Sequence, residues 1–151
     1  MSDTYARGSG PLEPHFQFKV GDVLLLCEAE RVEAVTAYQA PTPLPRVPPH
    51  LLGLVNYDQR ALVLVDLARF LGVPRSEEDP TRTLVVQGGG YRVGLPVDLA
   101  LGVVTLEESD VRHGSQVFGG RLAEFVRAEA DTPNGLGAVL DLELLLEAAR
   151  V

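Results

Sequence analysis

Few residues in this chain have the types and spacing that chemistry needs, and those few are scattered. The three histidines, His15, His50 and His113, lie far apart and show no metal-ligand spacing. The single cysteine, Cys27, cannot complete a zinc site and allows no internal disulfide. It sits in the apolar run Val23-Leu24-Leu25-Leu26-Cys27, the setting of a buried core thiol. No Gly-x-Ser-x-Gly elbow offers a nucleophile, and the lone lysine, Lys19, follows no glycine-rich phosphate loop. Gly88-Gly89-Gly90-Tyr91-Arg92-Val93-Gly94 has a superficial likeness to a dinucleotide fingerprint. Its third glycine falls one place late, and the residues after it alternate like a strand, so a hairpin turn accounts for it better. Glu107 and Glu108 are adjacent, which points their carboxylates apart, as surface charges. The expectation is a protein with no catalytic residues, no cofactor and no metal: not an enzyme.

The elements that would position a site follow from composition and pattern. A chain of 151 residues is one domain's worth, long enough to bury roughly 68–70% of its unfolded surface. Hydrophobic residues at 46% and charged residues at 23% fit a globular protein, and no apolar run approaches the ~20 residues of a membrane-spanning helix. The first ten residues carry no basic stretch leading into an apolar one, so a cytoplasmic chain is expected. A net charge of -8 argues against nucleic acid or an anionic membrane as partner, since both repel an acidic surface. Four tyrosines, five phenylalanines and no tryptophan give little for a base-stacking platform.

Residues 1–14 read as a loose tail, and 15–151 as a single domain. Phe16 to Val20 alternates as a strand, Gly21-Asp22 turns, and Val23 to Cys27 returns. Glu28 to Tyr38 fits either a short helical turn or a strand. Residues 41–49 hold five prolines, which forbids a helix or central strand and fits a rigid connector or a polyproline ligand. Leu51 to Asn56 and Ala61 to Val65 are predicted strands around a turn at 56–60, after which Asp66 caps a helix over 67–71 that Gly72 ends. Residues 75–82 form a charged loop. Thr83 to Gln87 and Tyr91 to Val97 make a second hairpin, and Leu101 to Leu106 another strand. Glu107 to Val111 is a short turn or helix start, and little from Arg112 to Arg121 is periodic. Leu122 to Ala130 is predicted as a strand, Leu136 to Leu140 as its return, and Asp141 as the cap of a last helix to about Arg150. Val65-Asp66-Leu67 echoes Leu140-Asp141-Leu142, which suggests two related halves. Short strands with frequent turns predict a mainly β fold of small barrels.

One block is Leu44-Pro45-Arg46-Val47-Pro48-Pro49-His50-Leu51-Leu52-Gly53-Leu54-Val55-Asn56, continuing through Ala61 to Leu67. Two others are Val93-Gly94-Leu95-Pro96-Val97-Asp98 with Gly102-Val103, and Ala138-Val139-Leu140-Asp141-Leu142. With these three blocks in the right order, the chain from Phe16 to Leu146 resembles the CheW-like family of chemotaxis adaptor domains. The resemblance implies two intertwined five-stranded SH3-like β-barrels with short helices, and an adaptor without catalysis. It also implies the partners: a chemoreceptor cytoplasmic tip and the regulatory domain of a CheA-type histidine kinase. By the same resemblance, barrel faces and the groove between barrels are expected to make the contacts.

The chain departs from the family at one hairpin. Where the family has Asn-x-Arg-Gly, this sequence has Asn56-Tyr57-Asp58-Gln59. An arginine implicated in coupling becomes an acid, and replacement of the glycine predicts loss of a tight positive-φ turn. The proline usual in the next strand is Val63, and the place of a family glutamate falls on Ala34, beside Glu33. Losing one partner of an interfacial charge pair costs about 2–5 kcal/mol, and reversal adds repulsion. Either Arg60, sharing a face with Asp58 if the stretch is extended, restores the cation, or the partner surface has co-changed to serve a divergent array, such as one for pilus motility or transcription control. The candidate protein-binding residues are Asn56, Tyr57, Asp58, Gln59 and Arg60, then Leu54 and Val55, which suit plain strand core equally well. Gly53 and Gly94 are assigned to backbone geometry. Two alternatives of other classes are a small-ligand sensor using the inter-barrel groove, for which the sequence names no convergent polar groups beyond the isolated histidines, and a structural member that self-associates weakly.

Overall fold

The computed structural model describes residues 11–150. Of the segment expected as a tail, residues 1–10 lie outside that range, and Pro11 to Pro14 already belong to the first strand. Among the described residues eleven strands form: β1 (Pro11–Val20), β2 (Val23–Glu28), β3 (Val32–Ala37), β4 (Leu51–Tyr57), β5 (Arg60–Val65), β6 (Arg82–Gly88), β7 (Tyr91–Val97), β8 (Leu99–Glu107), β9 (Val111–His113), β10 (Val126–Thr132) and β11 (Gly135–Leu140). Helix α1 (Leu67–Leu71) follows β5, and α2 (Leu142–Ala149) follows β11. No helix among the described residues is long and apolar enough to cross a membrane.

The strands make two mixed sheets, ordered β8-β1-β2-β11-β10-β9 and β3-β6-β7-β5-β4. Each sheet is curled into a small barrel. The chain runs through the same series twice: a hairpin, three principal strands, and an Asp-capped helix. The first pass is β1-β2, β3-β4-β5, α1; the second is β6-β7, β8-β10-β11, α2. Each sheet takes its hairpin from one pass and its three principal strands from the other. In both, the hairpin's second strand lies parallel to the strand before the helix: β2 beside β11, β7 beside β5. The echo around Asp66 and Asp141 is the sequence trace of this arrangement. Asp66 accepts from the Arg69 amide at 3.2 Å and Asp141 from the Leu144 amide at 3.1 Å, with nearly equal backbone angles.

Proline decides one difference between the halves. Strand β9 pairs with β10 in the first sheet, and the matching place beside β4 falls in the proline-rich stretch. There the missing amide donors leave only a single bridge, Thr42 to Leu54. Gly53 sits against that bridge with φ +138, and a Cβ there would lie 2.1 Å from the Thr42 carbonyl oxygen. At Gly94 the limit is packing rather than backbone: a Cβ would meet the Leu64 side chain at 2.5 Å, which would have to shift.

Between the sheets lies one apolar core that includes Phe18, Leu25, Leu84 and Leu95. Helix α2 closes it with Leu142, Leu145, Leu146 and Ala149, spaced on one helical face. Two smaller clusters fill the barrels, one around Leu24 and Leu26, the other around Leu62, Leu64 and Val85. Cys27 is fully buried, and burial pushes its thiol up to about 12, which leaves it an inert core residue.

Three local expectations change. Residues 28–38 contain both forms, a 3-10 turn at Ala29–Arg31 followed by β3. The strand expected from Leu122 starts only at Val126; Gly120–Phe125 is a 3-10 helix whose Leu122 and Phe125 reach the core. Val111–His113, in a stretch without periodicity, pairs with β10 as a strand too short to show a pattern.

Candidate functional site

The hairpin between β4 and β5 keeps the tight turn that its sequence argued against. Asp58 and Gln59 both adopt positive φ, 52° and 64°, and Tyr57 pairs directly with Arg60. A two-residue turn of this hand matches the twist of its strands, which outweighs the roughly 1–2 kcal/mol that a non-glycine residue loses in the left-handed region. Because 58–59 is a turn, Asp58 and Arg60 do not share a face of an extended strand. Asn56, Asp58, Gln59 and Arg60 are exposed at the barrel end. Val55 and Tyr57 pack against the cluster inside the second barrel, whereas Leu54 joins the Thr42 bridge.

Beside this hairpin is a polar cluster that sequence reasoning missed. A bulge in β3 places Glu33 out of step with β6, opposite no residue of its own. The re-aimed carboxylate receives Gln87 Nε2 at 2.7 Å and Arg92 Nε at 3.0 Å on Oε1. Arg92 Nη2 donates to Oε2, as does the Tyr57 hydroxyl at 3.4 Å. Arg92 also lies over the Tyr57 ring, its Cζ 5.1 Å from the centroid. The paired hydrogen bonds from Arg92, with that from Gln87, hold the Glu33 carboxyl below its ordinary range, and Glu33 raises the Arg92 pKa. Asp58 adds to that rise, so the cation that feels Asp58 comes from β7. The signal in the sequence was the triple-glycine hairpin, which sets Gln87 opposite Arg92; nothing in it marked the bulge at Glu33.

Tyr57 and Glu33 stand on β4 and β3, the two edge strands of the second sheet, so their contact helps close that barrel. Next to it, a cavity of about 200 Å³ runs between the sheet and α2, walled by Val63, Val93, Leu146 and Ala149. Arg92 and Arg150 flank it, the latter 5.6 Å over the Tyr91 ring. An apolar floor with two cationic edges suits an apolar segment that bears acidic residues.

The fold brings His15 and His113, far apart in sequence, to the wall of one cavity, while His50 stands elsewhere. His50 hydrogen-bonds the Ala149 carbonyl at 2.6 Å and packs on Phe70, His15 is buried in β1, and His113 is exposed on β9. Among the described residues, one group of potential metal-ligating atoms gathers within 4.8 Å, the carboxylates of Glu13, Glu28 and Glu30. Glu107 and Glu108 serve local structure, with Glu107 and Asp110 forming a reciprocal cap around residues 108–110.

Comparison with known proteins agrees with this architecture. The family model for the CheW-like domain matches residues 14–150. Protein FrzA of Myxococcus xanthus is 33% identical over 107 residues, 70% of this chain and 67% of that protein. Chemotaxis protein CheW of Thermotoga maritima is 26% identical over 136 residues, 89% of this chain and 87% of that one. The crystal structure of the scaffolding protein TtCheW from Thermoanaerobacter tengcongensis superposes with a TM-score of 0.78 at 23% identity, over 91% of this chain and 94% of that chain. The order of the sequence blocks, the doubled barrel and these matches agree: the chain belongs to the CheW-like domain family.

Proposed function

We propose that this CheW-like adaptor couples chemoreceptor cytoplasmic tips to the regulatory domain of a CheA-type histidine kinase, in the cytoplasm and through protein-protein contacts alone. The observation that carries the reading is the exposed β4–β5 hairpin, held in a positive-φ turn and buttressed by Glu33, Arg92 and Tyr57. Asn56, Tyr57, Asp58, Gln59 and Arg60 form the contact surface, with Leu54 and Val55 behind it. The arginine-edged groove beside α2 is a second face, suited to a receptor segment.

Calorimetry with the regulatory domain of the CheA-type kinase encoded nearest to this chain's own gene, at two salt concentrations, tests the assignment. Micromolar or tighter binding that weakens with salt is expected, since the hairpin charges are exposed and screened. Absence of binding by folded protein removes the kinase half. A second reading, service to a divergent array such as one for pilus motility or transcription control, is favoured by Asp58, whose charge is opposite to that of the family's arginine. It predicts tight binding to one cognate kinase and none to others.

A further inference from the structure

The two passes of the chain allow one barrel to be compared with the other position by position. Leu51 pairs with Val65, one residue before cap Asp66, and Val126 pairs with Leu140, one residue before cap Asp141. Each is followed by a bulged residue: Leu52 in β4 and Arg127 in β10. Leu52 packs onto the core of its barrel. Arg127 is exposed and lines the mouth of a cavity of about 260 Å³ in the other. The hairpins show a matching exchange. Thr83 of β6 and His15 of β1 hold the same place relative to their turns, and His15 lines the same cavity as Arg127. Where one barrel carries leucine and threonine, the other carries a cation and an imidazole.

We propose that this cavity is a binding site for a small carboxylic acid with a short aliphatic chain and a hydrogen-bond donor on its α-carbon. His15 is 3% exposed, and its Nδ1 lies 2.8 Å from the Glu13 carbonyl oxygen, so that nitrogen carries the proton and donates. Burial lowers the pKa of the ring and keeps it neutral, leaving a lone pair on Nε2. Nε2 has no hydrogen-bond partner among the described residues. The cavity therefore presents a fixed acceptor in His15, an arginine for a carboxylate, and the apolar walls Leu106, Val111 and Val139. Arg127 makes no ion pair among the described residues. His113, also on the cavity wall, lies 3.9 Å from a Glu108 carboxylate oxygen. The volume lies just under the ~300 Å³ at which drug-sized pockets begin, so the ligand is small. A metal ion fits less well, because the ligand atoms of His15, His113 and Glu108 do not gather within 4.8 Å.

Leucine, 2-hydroxyisocaproate and isocaproate share the chain and carboxylate but carry an ammonium, a hydroxyl and no α-donor respectively. Each is titrated into the ¹⁵N-labelled full chain and followed by amide shifts. At least one of the first two should give saturable shifts at Leu106, Val111, Ala128 and Val139, with a Kd below about 10 mM and binding about tenfold tighter than isocaproate. Which of the two binds tells an amino acid from a hydroxy acid. Arg127→Gln, a change at an exposed position, should weaken binding about tenfold, and Arg127→Leu, copying the other barrel, should abolish it with the fold intact. The proposal is overturned if neither donor-bearing acid saturates, if isocaproate binds equally well, if the shifts map to another surface, or if Arg127→Gln leaves affinity unchanged.

Discussion

Glu33 and Arg92 meet across an intervening strand, their carboxylate and guanidinium joined over β6, where Gln87 donates to the same oxygen at 2.7 Å. The pair fixes the floor beneath Tyr57 and the hairpin that it supports. In Arg92→Gln, the Glu33 carboxyl should titrate closer to its ordinary 4.5, since the arginine is the chief cause of its depression. The pair's contribution to stability is full above that ordinary value and is lost as pH falls through the lower folded value. Carboxyl-detected NMR of wild type and variant reads the shift, and an unmoved Glu33 would refute the pairing.

Gln59→Gly should stabilise the fold by about 0.5–1 kcal/mol, because glycine adopts φ near 64° without the steric cost glutamine meets. Chemical denaturation measures it. A loss of stability would mean that the turn has some other form.

If the kinase or receptor surface has changed along with residue 58, Asp58→Arg should weaken binding by about 2–5 kcal/mol. Calorimetry against the cognate kinase domain decides the matter. A large gain in affinity would show instead that the partner still presents an acid there.

The two capping aspartates carry different loads. Asp141 caps α2 only, whereas Asp66 caps α1 and also receives Arg75 Nη1 at 2.5 Å. Asp141→Ala should cost about 1 kcal/mol, the usual value of a lost cap, and Asp66→Ala more. Asp66→Asn should recover the cap share of the loss. Equal midpoints for the two alanine variants in urea would contradict this ranking.

Glu129 is 2% exposed, and its Oε2 accepts the backbone amides of Gln116, Val117 and Phe118 at 2.8, 2.6 and 3.2 Å. Those bonds, that from Val117 foremost, lower its pKa below the ordinary 4.5. The anchoring is therefore complete above pH 4.5 and weakens as pH falls through the lower folded value. Amide exchange at residues 116–118 should quicken in Glu129→Gln, and in wild type at acid pH, with the second-sheet amides unaffected. Unchanged protection in the variant would rule out the anchor.

Much of the fold was legible because its strands alternate and its helix caps are explicit: Phe16 to Val20, the Gly89-Gly90 turn, and Asp66 and Asp141. What stayed hidden depends on contacts between distant strands. A bulge leaves no mark in a single strand, so neither Glu33 on β3 nor Arg127 on β10 announced its direction. Gln59 misled because local preference for glycine in the turn is worth less than the pairing of β4 with β5. Phe125 suited a strand by residue type, yet packing of Leu122 and Phe125 into the core selected a 3-10 helix.

The charged loop at 75–82 separates the two passes of the chain, yet every barrel spans both. A single cut there would produce two pieces, each holding a hairpin without its three partners and three strands without their hairpin. Neither piece could bury its apolar faces alone, but the two together could, so a nicked molecule should hold its shape until its pieces are pulled apart. On this topology the molecule should act as an obligate pair written on one polypeptide, its integrity resting on the association of its halves rather than on the peptide bond between them.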